Sequence, residues 1–415
     1  MRVLFLTQWY LPEPLTYQSD LAETLQAMGH EVTVLTGFPN WPTGRLSKGY
    51  HLRPYCREEI NGIPIIRVPL YPDHSTFSFR RGLNFISIAA SMSVLGPILA
   101  PACDIVHCNF PPVSLGPPSW LISRLKRVPL TFEIQDMWPE TLEATGMVKN
   151  RRILRLVDAA AKWGYSKAAA VRVITPGFRD NLIEKGVPEE KIHVISNWVD
   201  TERYHPLEPD GVLGAELGFK NRFTVMYAGT IGLAQGLETI LKAATLLKDL
   251  PSVQFMLVGD GANLDALKAA ATEQKLDNVR FLGRVSPGQV SKLYSLADVL
   301  LVTLQDAPIF RITIPHKIFA YMASAKPVLV AADGDSADVI LNANAGLQCA
   351  PGNAEDLAAV VRRFYRMTPN ERMTMGQNGR NTVLKYYGRE QLVGKIAKML
   401  ESVVESQSKT KRNKE

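Results

Sequence analysis

Three consecutive residues, Pro315-His316-Lys317, stand between an apolar run ending at Leu304 and the helical stretch Ile318-Phe319-Ala320-Tyr321. Proline suits the first position of a helix, where its missing N–H would have no partner anyway. A helix start presents unpaired backbone N–H groups and the positive end of the macrodipole. A lysine in that first turn is unfavourable for the helix itself, so its presence points to a bound anion. Arg311 is a second cation in the same loop. A nucleotide diphosphate is the expected occupant. The other residues able to do chemistry are carboxylates. Asp136, in Gln135-Asp136-Met137-Trp138-Pro139-Glu140, follows an apolar strand whose end also carries Glu133. It could position or polarise a hydroxyl, or cap the helix that follows. Glu13 sits in the first strand's turn, Pro12-Glu13-Pro14. His107 stands alone beside its strand and reads as a hydrogen-bonded structural residue.

Several chemistries are disfavoured by what the motifs lack. Gly259-Asp260-Gly261 follows a strand, but Asn263-Leu264 do not complete a Gly-x-Gly-x-x-Gly fingerprint. No Walker loop and no His-Glu-x-x-His occur either, so an NAD enzyme or a P-loop NTPase is disfavoured. Asp333-Gly334-Asp335 has the form of a metal-holding Asp-x-Asp triplet. Its residues are also common turn formers with no neighbouring histidine or carboxylate, so it reads as a capped loop. The four cysteines show no metal-ligand spacing and read as thiols in a reducing compartment.

The elements that must position these groups follow from hydrophobic periodicity. In the first half, short apolar runs (Arg2–Thr7, Glu31–Thr36, Ile63–Val68, Asp104–Cys108, Leu130–Ile134, Val171–Thr175, His193–Ser196) alternate with helical patterns. This predicts a doubly wound, mostly parallel sheet. A stretch rich in Pro, Gly and charge, Asn197–Lys220, breaks the pattern and reads as a linker. The alternation then restarts at Phe223–Tyr227, Gln254–Val258, Val279–Leu282, Val299–Leu304, Val328–Ala331 and Gly346–Cys349. The fold class is therefore α/β, with two Rossmann-like domains facing a cleft. The expected division is 1–196, 197–385, a final helix over 386–405, and a charged, disordered tail over 406–415. In such sheets ligands meet loops just beyond the carboxyl ends of the strands.

The chain has 415 residues and a net charge of +7, which suits anionic partners rather than nucleic acid, since no basic stripe with interleaved aromatics occurs. No signal peptide precedes the strand at Arg2, so a cytoplasmic location is expected. From Gly82 to Cys103 there is no charged residue, with Arg80-Arg81 just before. That length could span a bilayer, but its serines and prolines favour a buried or amphipathic helix, with contact at the headgroup level open to it. Basic clusters at Arg124-Lys126-Arg127 and Lys149-Arg151-Arg152-Arg155 are either solvated helix faces or contacts to anionic lipid.

Taken in order and spacing, the motifs make the chain resemble the GT-B glycosyltransferases of the GT4 family, which are retaining nucleotide-sugar transferases. In the first half the resemblance rests on Leu25–Thr36, Gly37–Gly44, Val68–Pro72 and Gln135–Glu140. In the second it rests on Val194–Asp200, Tyr227–Gly232, Val258–Gly261, Phe281–Val285 and Met322–Val328. The nearest likeness is to the surface-polysaccharide subgroup that includes N-acetyl-fucosamine-transferase-like proteins. The resemblance implies that the C-terminal domain binds a UDP- or GDP-sugar and the N-terminal domain an acceptor, a saccharide or a polyprenyl-diphosphate-linked one. It also implies that no metal or other cofactor is needed, and that the last helix packs back on the N-terminal domain.

Residue by residue, the family's two donor glutamates fall at Ile312 and Ala320, where neither carboxylate is present. Pro315-His316-Lys317 matches the subgroup's Pro-Ser-Lys variant with His for Ser. The family's arginine and lysine after the first C-domain strand fall near Thr230 and Gln235, so both cations are changed. Lys317, Arg311 and backbone N–H groups near Gly232 or at the helix start remain as donors to a leaving diphosphate, and Gly229 is set in the donor site. The likeness also places Gly259 in the donor site and the backbone of Arg284-Val285 against the base. Glu238 is set against the ribose, or it complements its own helix terminus. Glu13, Glu133 and Asp136 fall on the acceptor side. Two other readings of the sequence stand beside a transferase: a sugar-nucleotide 2-epimerase and a non-catalytic nucleotide-sugar-binding partner.

Overall fold

Apolar runs become buried strands in both halves of the chain because helices cover both faces of each sheet. The computed structural model describes residues 1–74, 78–219 and 222–412. The chain divides into two units, Met1–Ser196 with Arg389–Glu415, and Asn197–Gly388.

Among the described residues, the first unit's strands are β1 Arg2–Leu6, β2 Glu31–Gly37, β3 Cys56–Ile60, β4 Ile63–Val68, β5 Ile105–Asn109, β6 Leu130–Ile134, β7 Ala170–Val173 and β8 Ile192–Val194. Their order is β3-β4-β2-β1-β5-β6-β7-β8, parallel except where β3 pairs antiparallel with β4. The strand order reverses at β1, so the loops after β1 and β5 flank the switch point where ligands meet such sheets. The β3 hairpin is missing from the sequence expectation. Its strand alternates exposed and half-buried residues and carries Arg57, Glu58 and Glu59, a charged edge rather than an apolar run. The signal for it was Asn61-Gly62, whose φ values of 54° and 77° make the mirror-image turn that two-residue hairpins favour.

The second unit is wholly parallel: β9 Phe223–Ala228, β10 Val253–Val258, β11 Val279–Gly283, β12 Val299–Thr303, β13 Val328–Ala331 and β14 Gly346–Cys349. Their order is β11-β10-β9-β12-β13-β14, which puts the switch point between β9 and β12. β9, β10 and β12 are buried along their whole length. Gln254 Nε2 donates to Thr224 Oγ1 at 2.8 Å and to Gly218 O at 3.1 Å, while its buried Oε1 has no partner among the described residues.

The final helix runs Arg389–Arg412 and packs on helix Tyr17–Ala27 of the first unit. Arg389 Nη1 meets Asp20 at 3.5 Å near one end and His30 meets Glu401 at 3.8 Å further along. The disorder expected from Ser406 onward is not found as far as Arg412. A helix already anchored by Val393, Ile396 and Leu400 extends through Ser and Lys at small cost per residue. Residues 413–415 lie outside the described ones.

Candidate active site

In the second unit the loops after β9 and β10 continue the sheet's pairing beyond the strands. Gly229 N–H donates to Val258 O at 2.9 Å, Ile231 N–H to Asp260 O at 2.9 Å, and Gly259 N–H to Gly283 O at 2.8 Å. This close approach of backbones requires glycine. A Cβ on Gly259, whose φ is +141°, would lie 1.8 Å from Gly229 O, and one on Gly261 would lie 2.4 Å from Ile231 O. Gly229 itself has φ +144°, and a Cβ there would meet Lys317 Nζ at 2.6 Å. The glycine therefore opens the space that the ammonium fills.

Lys317 begins helix Lys317–Ala323, with His316 as N-cap. The assigned helix starts two residues later than expected. Pro315 instead opens a tight turn in which Ile318 N–H donates to Pro315 O at 3.0 Å. Lys317 Nζ sits 3.7 Å above the centre of the Tyr227 ring. That is a cation–π contact on a buried aromatic, whose hydroxyl donates to Thr230 O. Desolvation lowers the Lys317 ammonium to about 7. Among the described residues no carboxylate forms an ion pair with it. A cation held on a π-face without a counter-ion is poised for an incoming anion.

The other expected donor-side residues are placed as follows. Gly232 N–H donates to Gln235 Oε1 at 3.1 Å, and Gln235 O accepts from Thr303 Oγ1 at 3.0 Å. Gln235 thus closes its own turn, and the Gly229 and Gly232 N–H groups are both engaged. Thr230 is exposed at the rim. Glu238 opens helix Glu238–Leu246 and accepts from Asn263 Nδ2 at 2.6 Å. Arg284 is exposed and Val285 half-buried, just past Gly283. Arg311 pairs with Asp306 at 3.0 Å on the surface, a contact worth about 0–1 kcal/mol and readily exchanged for another anion. His316 Nε2 lies 2.8 Å from Trp198 O, which ties the turn to the start of this unit. The Asp333-Gly334-Asp335 triplet serves packing: a Cβ on Gly334 would lie 2.0 Å from Arg311 O, and Asp333 accepts from Gln348 Nε2 at 3.0 Å.

In the first unit, Asp136 follows β6. Its Oδ1 accepts from Thr141 Oγ1 at 2.5 Å and its Oδ2 from Trp138 Nε1 at 3.3 Å. Burial raises its carboxyl to about 6, against the pull of those two hydrogen bonds. The N-cap of the next helix is Pro139, so Asp136 does not fill that role. Glu133 is fully buried. Desolvation alone would raise it, but Arg172 at 3.0 Å, His107 at 3.4 Å and Gln135 at 2.5 Å hold it down at about 2. Arg172 also donates to Ile195 O at 2.9 Å and Ser196 O at 2.7 Å, where the first unit ends. His107 completes its bonding at Thr131 Oγ1, 2.9 Å away. Glu13 is buried and accepts three backbone N–H groups, from Tyr10 at 3.0 Å and from Asn40 and Trp41 at 2.8 Å. It braces the loops after β1 and β2, and burial raises its carboxyl despite those bonds.

Residues 14–198 match the Glycosyl transferase 4-like domain, and residues 214–382 match the family Glycosyl transferases group 1. The chain belongs to the GT4-type glycosyltransferases. It is 28% identical over 326 residues to a protein of Escherichia coli (strain K12) named as a colanic acid biosynthesis glycosyl transferase, WcaI, covering 76% of this chain and 79% of the relative. It is also 28% identical over 237 residues to the alpha-galactosylglucosyldiacylglycerol synthase of Streptococcus pneumoniae (strain ATCC BAA-255 / R6), covering 55% of this chain and 60% of that protein. Among solved structures, Anabaena HepE in complex with UDP-glucose superposes with a TM-score of 0.73 at 19% identity, over 97% of this chain and all of that one. That likeness shows the fold, GT-B with two Rossmann-like units.

For this glycosyltransferase the two positions expected to lack glutamate are apolar in place: Ala320 is buried on its helix and Ile312 half-buried before it. Sequence reasoning missed Tyr227 as the platform beneath Lys317. A tyrosine inside an apolar strand looks like core, and only the three-dimensional pairing distinguishes it. It also missed Asn263, which fixes Glu238 from the loop after β10.

Proposed function

We propose that this glycosyltransferase moves a hexosyl group, with retention, from a UDP- or GDP-sugar to a lipid-linked or growing saccharide in surface-polysaccharide synthesis. The acceptor range follows the names of the relatives, one in colanic acid biosynthesis and one a glycolipid synthase. The observation that carries the reading is Lys317. It is half-buried, has no carboxylate counter-ion among the described residues, and is seated on Tyr227 and against the Gly229 backbone, beside the switch point of the second sheet. The diphosphate of the donor supplies its missing charge. In the transfer step the bond from the anomeric carbon to the diphosphate oxygen breaks, and the acceptor oxygen bonds to that carbon from the same face. The acceptor's proton passes to the departing phosphate oxygen. Lys317 stabilises the charge that develops on the leaving group, and Arg311 adds a second cation once released from Asp306. Asp136 positions the acceptor hydroxyl. This chemistry calls for no pair of enzyme carboxylates, unlike glycoside hydrolysis. The apolar Ile312 and Ala320 leave the sugar less tightly read than the leaving group, in keeping with the N-acetyl-fucosamine-transferase-like subgroup. Incubation with radiolabelled UDP- and GDP-sugars and membrane-extracted lipid acceptors tests the reading. Transfer of label to lipid is the expected result. Nucleotide-sugar binding with neither transfer nor hydrolysis would replace it with a non-catalytic binding role, and epimerised donor would replace it with an epimerase.

A further inference from the structure

Helix Ser78–Leu99 buries Asn84, Ile88, Met92 and Gly96 on one side. A surface helix normally turns polar residues outward. This one instead turns out Phe79, Leu83, Ile86, Ala90, Val94 and Ile98, at the three- and four-residue spacing of a single face. Phe79 and Ile98 are 76% exposed, Val94 66% and Ile86 64%. The helix is long and apolar enough to cross a bilayer by length and composition. It is nevertheless held flat on the fold. A Cβ on Gly96 would meet Ile122 at 2.6 Å and Leu35 at 3.2 Å, and Ile88 and Met92 are fully buried. Withdrawing it to span a membrane would open that core.

The layer around the helix is basic. Helix Gly116–Lys126 packs on it and exposes Leu125 beside Arg124. Helix Arg151–Lys167 packs on that one and exposes Leu156 beside Arg152 and Arg155. The three helices together carry nine Lys and Arg and a single acidic residue, Asp158. We infer that this face seats the first unit on an anionic bilayer, with the outer stripe of helix Ser78–Leu99 lying in the headgroup region. Apolar residues entering the interface and arginines meeting anionic lipid are the two components of such binding.

The same helix reaches the acceptor side of the site. Phe85 contacts the Trp138 ring edge-on at 5.6 Å, and Trp138 donates to Asp136. Asn84 Oδ1 accepts from Gln8 Nε2 at 2.6 Å, in the loop after β1. The inference deepens the reading of a lipid-linked acceptor, because the helix whose outer stripe would touch lipid also carries Phe85, which contacts the Trp138 that donates to Asp136.

Co-sedimentation of the full-length protein with phosphatidylglycerol–phosphatidylcholine vesicles, without donor, tests it. Binding at least tenfold tighter than to pure phosphatidylcholine is expected, falling as salt rises. The triple variant Phe79→Ser, Ile86→Ser, Val94→Ser should lose it while its circular dichroism is unchanged. Phe79→Trp supplies a second readout that needs no loss of function: its emission should shift to the blue with anionic vesicles only. Absence of wild-type binding, equal binding by the triple variant, or an unshifted Phe79→Trp would overturn the inference. So would a concentration-dependent dimer that the triple variant abolishes, since the face would then belong to a second copy. Vesicle binding without transfer would leave this inference standing and defeat the transferase reading; transfer without vesicle binding would do the reverse.

Discussion

In the proposed reaction a single ammonium carries most of the donor chemistry, and its surroundings predict how it responds to pH. Burial holds Lys317 at about 7, so in the free protein the charge is present below that pH and fades as pH rises through it. A diphosphate bound as proposed would restore the charge. UDP binding should therefore take up a proton at Lys317 at pH 8, where the terminal phosphate of UDP is already ionised, readable by calorimetry in buffers of different ionisation enthalpy. Lys317→Ala should remove that uptake and weaken UDP about 10- to 100-fold, the worth of a charge-assisted contact. Unchanged affinity in the variant would place the phosphate elsewhere. Asp136 behaves oppositely. Its carboxyl, raised to about 6, is ionised above that pH and protonated below. Transfer should fall about tenfold between pH 8 and pH 5, and Asp136→Asn should lower kcat and flatten that acid limb. An acid limb that persists in Asp136→Asn belongs to another group.

The loops depend on backbone contacts that leave no space for a side chain, and this gives a prediction about elements. Gly259→Ala should cost about 2–4 kcal/mol, since its Cβ would strike the Gly229 carbonyl in a conformation that also strains alanine. Gly288→Ala, a helical position with open space around it, should be neutral or slightly stabilising. Equal melting temperatures for the two variants would refute the backbone account. The sequence made much of this scale readable. The runs that became β9, β10 and β12 are apolar on both faces and could hardly be anything but central strands. Lys317 was conspicuous because a cation in a first helical turn opposes the dipole. The charged strand β3 escaped because it sits at an edge, although Asn61-Gly62 announced its turn. Glu133 and Arg172 could not be paired in advance: they lie on neighbouring strands but far apart in the chain. The pairing turns Glu133 from an acceptor-side candidate into the centre of a buried network, and Glu13 likewise into a brace for two loops.

At the scale of the whole molecule, the chain leaves the first unit at Ser196, builds the second, and returns at Arg389. The returning helix places Leu392, Val393, Ile396 and Leu400 out of solvent, each side chain worth about 1.5–3 kcal/mol before the cost of ordering the helix is subtracted. It contributes nothing to the second sheet, whose strand order closes within residues 223–349. A chain ending at Gly388 should therefore lose stability in one unit only. Scanning calorimetry should show the first unit's transition lowered by roughly 5–10 °C, with the other transition in place. A dye specific for exposed apolar surface should bind where helix Tyr17–Ala27 is uncovered. UDP affinity should stay within twofold of the full chain, because Lys317, Tyr227 and the glycine loops all lie before Gly388. If UDP binding is lost with the helix while the second transition persists, the donor site draws on the first unit, and the assignment of the diphosphate to residues of the second unit alone fails.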